Sequence, residues 1–324
     1  MTKKLILLLA AFTLTASAAD WANWRGPNHN GSTEAAGLPV KFSKTENIAW
    51  KVTMPGPSAA TPIILGDKVF ASSTDPKAKE LLALCLDRRT GKEIWRQVVG
   101  EGYQLDNRSN YASPSPATDG EVVTFFYGNG DLATFDLNGK KLWAKKIQAD
   151  SNGFAFQWTF SSSPLLHDGI FYLQVLQRNT GVRGHGKANG NESYLLALDP
   201  KTGKQLWKHN RPSNAKAESL EAFSTPMPFT HNGREELLIV GGDCLTGHNP
   251  ETGKELWRWG TWNPSRIGHW RLVPSPAAGG GVILACAPKG SPVYAVKAGA
   301  KGEGELAWKS AGRTDDISSD VCTP

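Results

Sequence analysis

The chain has 324 residues, 40% of them hydrophobic and 20% charged, with a formal net charge of +6. That balance excludes a disordered chain, and the mild, scattered basic excess leaves no electrostatic footprint for nucleic acid. No apolar run reaches the roughly 18 residues that a membrane-spanning helix requires.

The first predicted element is a leader. Lys3 and Lys4 precede a short apolar run, Leu5 to Leu14, and Ala16-Ser17-Ala18 has the small-residue pattern of a cleavage site. The pattern predicts a cleavable export signal over residues 1–19 and a periplasmic or secreted protein. No cysteine follows the apolar run, so no lipid attachment is expected there. Removing Lys3 and Lys4 leaves 34 basic against 30 acidic residues.

After the leader the chain repeats itself. "CLDRRTGKEIW" (85–95), "TFDLNGKKLW" (134–143), "ALDPKTGKQLW" (197–207) and "GHNPETGKELW" (247–257) are versions of one hairpin. The alternating "YLLALD" reads as a strand. The turn has Asp199 to accept backbone amides and Gly203 to take a positive φ. The closing Trp brings a large apolar surface for a neighbouring unit. Aligned tryptophans at 50, 95, 143, 207, 257 and 308 are 45 to 64 residues apart. Each unit opens with small residues before a proline: Pro62, Pro116, Pro164, Pro226, Pro276 and Pro324.

Four strands per unit of this length predict an all-β chain, a β-propeller of four-stranded antiparallel blades. The expected blades are roughly 58–98, 108–146, 160–210, 222–260 and 270–310, one domain over 20–324. Trp95, Trp143, Trp207, Trp257 and Trp308 are the expected blade-docking residues. Trp50 has no hairpin before it, so its strand is expected to be the outer strand of the blade that closes the ring. Pro324 lies in the opening residues of a sixth unit, so the sequence reads as an incomplete ring of about five blades, a fragment of a longer product.

The hairpin resembles the A-x-D-x-x-T-G-K-x-x-W pattern of the PQQ-like propeller repeat family. The match is full at 197–207 and near-full at 85–95. It is one residue shorter at 134–143, has Gly247 and Asn249 for Ala and Asp at 247–257, and keeps only Ala295 and Trp308 in the last unit. "DWANWRGPNHNGS" (20–32) is similar to the N-terminal segment of exported proteins of this type. The family includes quinoprotein alcohol dehydrogenases and the non-enzymatic outer-membrane assembly lipoprotein BamB. The resemblance implies a propeller, while one propeller fold hosts many functions.

The chemistry is less legible. The family enzymes use PQQ with a Ca²⁺ held by carboxylate and amide oxygens. No motif here matches those ligands, and no adjacent cysteine pair occurs among Cys85, Cys244, Cys286 and Cys322. No catalytic residue, cofactor or metal is therefore assigned. Cys85 and Cys286 sit in strand-like runs and read as small core residues. His185, in "RGHGKANGNES", lacks partners at ligand spacing and reads as a loop residue. "GNGD" at 128–131 reads as a hairpin turn. The serines before each proline read as structural.

The loops that break the repeat carry the site expectation. "QLDNRSNY" (104–111), "GFAFQW" (153–158), "AESLEAF" (217–223), "SRIGHWR" (265–271) and the long "QRNTGVRGHGKANGNES" (177–193) fall on one predicted face. Arg108, Tyr111, Gln157, Trp158, Arg183, Arg266, His269 and Arg271 are the candidate ligand-binding residues, since Arg and Trp are favoured anchors. The expected function is a non-catalytic binding or scaffold propeller for a protein or polysaccharide partner of the cell envelope. The alternatives are a PQQ- and Ca²⁺-dependent dehydrogenase and a BamB-like assembly factor.

Overall fold

The computed structural model describes residues 20–260, 262–313 and 322–323, so the predicted signal at 1–19 lies outside the described residues. The described strands form five four-stranded antiparallel blades. Blade one is β1 (Ile63–Leu65), β2 (Lys68–Asp75), β3 (Glu80–Asp87) and β4 (Glu93–Glu101). Blade two is β5 (Ala117–Thr118), β6 (Val122–Phe126), β7 (Asp131–Asp136) and β8 (Lys141–Lys146). Blade three has β9 (Leu165–His167) and β10 (Ile170–Val175), then an inserted hairpin of β11 (Thr180–Val182) and β12 (His185–Asn189), then β13 (Tyr194–Leu198) and β14 (Gln205–Asn210). Blade four is β15 (Met227–His231), β16 (Arg234–Gly241), β17 (Cys244–His248) and β18 (Glu255–Trp259). Blade five is β19 (Ala277–Gly279), β20 (Val282–Cys286), β21 (Val293–Lys297) and β23 (Leu306–Lys309). Its β22 (Gly302–Glu303) crosses to pair in parallel with β18.

Antiparallel order fixes two faces. The turns after the first and third strand of each blade lie at one end, here the lower face. The segments entering each blade and the loops between second and third strands lie at the other, the mouth. The core fills the spaces between blades. Phe70 and Trp95 of blade one pack on Phe125 and Phe135 of blade two, for example. Cys85 and Cys286 are buried thiols, and Cys244 is buried with them.

The repeated hairpin joins blades in a recurring way. Asp199 Oδ1 accepts the amides of Lys201 (2.8 Å) and Thr202 (2.9 Å), and Asp87 holds the blade-one turn likewise. The Trp of the preceding unit lies on the turn glycine. A Cβ on Gly139, Gly203 or Gly253 would meet Trp95, Trp143 or Trp207 at 2.6–2.8 Å. Each indole N–H then donates to a turn carbonyl: Trp95 to Leu137, Trp143 to Pro200 and Trp207 to Pro250, at 2.8–3.2 Å. Trp50 does the same on blade one, with Gly91 beneath it and Arg88 O at 2.8 Å. It docks as the outer-strand tryptophan of a preceding blade would, although residues 48–52 form no described strand pairing.

Two of the expected docking tryptophans depart from this pattern. Trp257 turns into its own blade, where its indole N–H donates to Glu236. Gly247, opposite it on β17, makes the room: a Cβ there would stand 2.1 Å from Trp257 Nε1. The parallel β18–β22 pairing joins blades four and five instead. Trp308 is 45% exposed, with no blade over it among the described residues.

The residues before the prolines form an inner ring. Backbone N–H groups of Thr61, Ser115, Ser163, Thr225 and Ser275 donate to the hydroxyls of Ser115, Ser163, Thr225, Ser275 and Thr323 in turn, at 2.8–3.3 Å. Proline leaves the inner strand short of one donor at each unit. The hydroxyl just before it gives the neighbouring unit an acceptor, so buried amides stay paired.

The segment 20–32 lies across the lower end of this ring. Trp21 bridges Ile64, Ala22 O accepts from Thr118 N (3.0 Å), and Asn23 Oδ1 accepts from Leu166 N (3.5 Å). Gly26 takes a positive φ and lies against the Trp21 ring, where a Cβ would clash at 2.8 Å. His29 stands edge-on to His167. Burial, then the neighbouring His167, pushes the His29 imidazole down to about 4. Trp24 and Arg25 floor a channel cavity of 420 Å³ whose wall includes the Ser115, Ser163, Thr225 and Ser275 ring.

Candidate functional site: the ring mouth

The segment between β8 and β9 begins with the short turn Ala149–Ser151 and is fastened by its phenylalanines. Phe154, Phe156 and Phe160 are buried, with ring centroids 4.7 and 4.8 Å apart for the 154–160 and 156–160 pairs. Gln157 and Trp158 are left at the mouth. Asp106, from the segment entering blade two, locks this stretch in place. Its carboxylate accepts from Thr159 N (3.0 Å) and Oγ1 (2.8 Å), and from the Arg108 and Ser109 amides (2.7 Å each). Burial works to raise the Asp106 pKa, but these hydrogen bonds hold it below the ordinary range.

Three guanidiniums surround Trp158, each from a different element. Arg108 lies 5.9 Å, Arg183 5.4 Å and Arg271 5.8 Å from the ring centroid. All are within cation–π range. Arg183 reaches the site from the tip of the inserted hairpin. Arg183 and Gly184 form its two-residue turn with φ of 51° and 82°, the primed geometry of tight hairpins. Asn152 clamps that tip, donating to Gly184 O (2.5 Å) and accepting from Gly186 N (3.1 Å). With its amide oxygen toward Arg183, Gln157 accepts from Nε at 3.1 Å and Nη2 at 2.6 Å. Arg271 arrives because the segments entering blades four and five run side by side. Leu272 N donates to Glu221 O, and Phe223 N to Leu272 O. Arg271 is held by Glu218 at 2.6 Å.

Beneath this cluster Glu221 is fully buried. Its Oε1 accepts from Gln157 N (3.0 Å) and from Arg178 Nε, while its Oε2 has no partner. Burial raises its pKa to about 7 despite Arg178. The Trp158 indole N–H is a second buried polar atom without a partner in the protein. Tyr111, Gln157, Trp158 and Arg183 line one cavity of 490 Å³, together with His185 and Lys146.

The structure thus gathers Arg108, Gln157, Trp158, Arg183 and Arg271 into one contact cluster and places Tyr111 in the same cavity. It leaves Arg266 and His269 out. A turn fixed by Asn263, whose Oδ1 takes the Ile267 amide at 2.9 Å, directs Arg266 toward Asp243, and His269 is exposed. Sequence reading did not single out Asp106, Arg178 or Glu221. The available signal was Glu221 between Leu220 and Ala222, a charge in an apolar setting.

Chemically, such an arrangement can attract an anionic group. An aromatic face and three guanidiniums, one of them held by Glu218, converge at the mouth, and guanidinium forks pair with carboxylates in two parallel hydrogen bonds.

Comparison with known proteins gives a consistent class. The sequence model of the family described as outer membrane protein assembly factor BamB matches residues 33–183 and again 155–321. A polyvinylalcohol dehydrogenase of Pseudomonas sp. is 22% identical over 266 residues, covering 73% of this chain and 40% of that protein. The chain therefore spans well under half the length of that relative. Among solved structures, BamB from Moraxella catarrhalis superposes with a TM-score of 0.51 at 17% identity, covering 82% of this chain and 67% of that one. A quinohemoprotein alcohol dehydrogenase from Comamonas testosteroni gives 0.55 at 14% identity, covering 95% and 52%. These structures share the fold.

Proposed function

The chain belongs to the PQQ-like repeat family whose model is described as outer membrane protein assembly factor BamB, and from that premise we propose that it is part of a cell-envelope binding propeller whose mouth takes an acidic segment of a partner protein. The observation that carries this reading is the convergence of Arg108, Arg183 and Arg271 on Trp158. Trp and Arg dominate binding energy at protein interfaces, and Arg108 and Arg183, whose charges no carboxylate among the described residues meets as Glu218 meets that of Arg271, select carboxylate-bearing ligands over neutral ones. A protein partner is preferred over an acidic polysaccharide because the matching family model is that of a protein assembly factor.

The dehydrogenase relatives raise the other reading, a quinone held with calcium. Calcium takes about six to eight oxygen ligands. The inward carboxylates are engaged by the protein: Asp106 accepts from Thr159, Arg108 and Ser109, Glu218 pairs with Arg271, and Glu221, fully buried, accepts from Gln157 and Arg178. The guanidiniums beside them oppose a dication. This donor set does not fit calcium, and we assign no chemical step to the site.

The test is fluorescence anisotropy with a labelled peptide of alternating Glu and Ser. The reading expects saturable binding, weakened by added salt and by Trp158→Ala or Arg183→Ala. A Lys–Ser peptide should not bind. Equal binding of both peptides, or no effect of either substitution, contradicts the reading. Stronger binding of a polyuronate would replace the protein partner with a polysaccharide.

A further inference from the structure

A second cluster of ligand-type side chains lies on the lower face, away from the mouth. His167 ends β9, Asp168 follows in the turn to β10, and Glu235 comes from the start of β16 in the next blade. His167 Nε2 stands 2.6 Å from Glu235 Oε1 and 3.9 Å from Asp168 Oδ2. One donor atom from each of the three lies within 4.8 Å of the other two. A further imidazole comes from the segment that floors the channel: the His29 ring stands edge-on to His167, with centroids 6.0 Å apart and planes at 84°.

We propose that His167, Asp168 and Glu235 form a site for a divalent transition metal of the zinc type, which His29 completes by turning a ring nitrogen toward it, so that the metal clasps the N-terminal segment to blades three and four. The donors already grouped are one imidazole and two carboxylates, with the His29 ring beside them; that set suits zinc and carries the negative charge to neutralise a dication. Ligand atoms around a tetrahedral zinc stand roughly 3.3 Å apart, as follows from bonds of about 2.0 Å. The two measured separations from His167 Nε2 bracket that value. Two imidazoles on one zinc place their centroids roughly 5–6 Å apart by the same geometry. A simple His167–Glu235 ion pair explains two of these residues. It does not account for the second imidazole, which the N-terminal segment brings against the same ring. The site links three separate stretches of chain, so a bound metal resists their separation. It is independent of the reading given for the mouth.

The test is a titration of the chelator-stripped chain with Co²⁺, followed by visible absorption, and then with Zn²⁺. The proposal expects about one equivalent of Co²⁺ to give tetrahedral d–d bands that Zn²⁺ abolishes. His167→Ala and Glu235→Gln should remove the bands, and His29→Gln should weaken binding. Zn²⁺ should raise the Tm of the parent and not of Glu235→Gln. The Glu235 side chain is 35% exposed, so that variant keeps the test valid if His167→Ala fails to fold. A folded parent that binds neither ion saturably overturns the proposal. So does binding that survives both Glu235→Gln and His29→Gln.

Discussion

Trp143 of blade two lies on Gly203 of blade three. A Cβ at Gly203 would stand 2.6 Å from the indole, whose N–H donates to Pro200 O at 2.8 Å. The same relation joins Trp50 to Gly91, Trp95 to Gly139 and Trp207 to Gly253. The turn glycine and the Trp of the repeat are therefore two halves of one joint, contributed by successive units.

Gly203→Ala should destabilise the chain more than Gly233→Ala. Both glycines hold a positive φ, 69° and 75°, but only Gly203 has an indole against it, while Gly233 has nothing within 4 Å. Each substitution carries about 1 kcal/mol for the left-handed backbone. Gly203→Ala adds overpacking of about 1–3 kcal/mol. Urea unfolding of the two variants checks the difference, and equal midpoints would contradict the joint.

Ser163→Ala should cost about 1–3 kcal/mol, because the buried Ser115 N–H loses its acceptor at 3.0 Å. Ser163→Thr keeps a hydroxyl there and should recover most of the loss. Denaturant midpoints for the pair measure this. A Ser163→Ala midpoint equal to the parent's would show that the inner ring contributes nothing.

Glu221 gives a pH dependence of defined sign. Burial lifts its folded pKa to about 7, above the ordinary 4.5 of a glutamate, so between these values the folded state holds a proton that the unfolded state has lost. Its contribution is fully present below about pH 4.5 and falls away as pH rises through 7, by at most about 3 kcal/mol. The Tm of Glu221→Gln relative to the parent should therefore rise from pH 5 to pH 8. A difference that stays constant over that range contradicts the assignment.

Much of the fold was legible because a repeat states its rule several times. Turn glycine, turn aspartate, closing tryptophan and the hydroxyl before each proline recur, and each recurrence marks one contact. The exceptions were legible too, with hindsight of the geometry. Gly247 replaces the alanine of the repeat, and its missing Cβ is what lets Trp257 turn inward to Glu236. The mouth was only partly legible. Arg108, Trp158, Arg183 and Arg271 stand out as large residues in loops, but what unites them is the tertiary placement of four segments. Glu221 binds Arg178 from 43 positions away, and no local pattern encodes such a pair. Arg266 shares a loop with Arg271 and is turned elsewhere by one asparagine, a distinction that composition does not carry. The N-terminal segment was recognisable by its pattern, but its position across the channel follows from bonds to Ile64, Thr118 and Leu166, far along the chain.

If Trp158 and the guanidiniums around it receive an anionic group, the Trp158 indole resonance reports the change in charge beside its ring. We would record the indole ¹⁵N–¹H spectrum of the chain, assign Trp158 through Trp158→Phe, and add the acidic Glu–Ser peptide. The Trp158 resonance should shift with added peptide as carboxylates settle among the guanidiniums around its ring, and high salt should reverse the shift. A Trp158 resonance that stays fixed while the peptide binds, or shifts confined to other indoles, would contradict it.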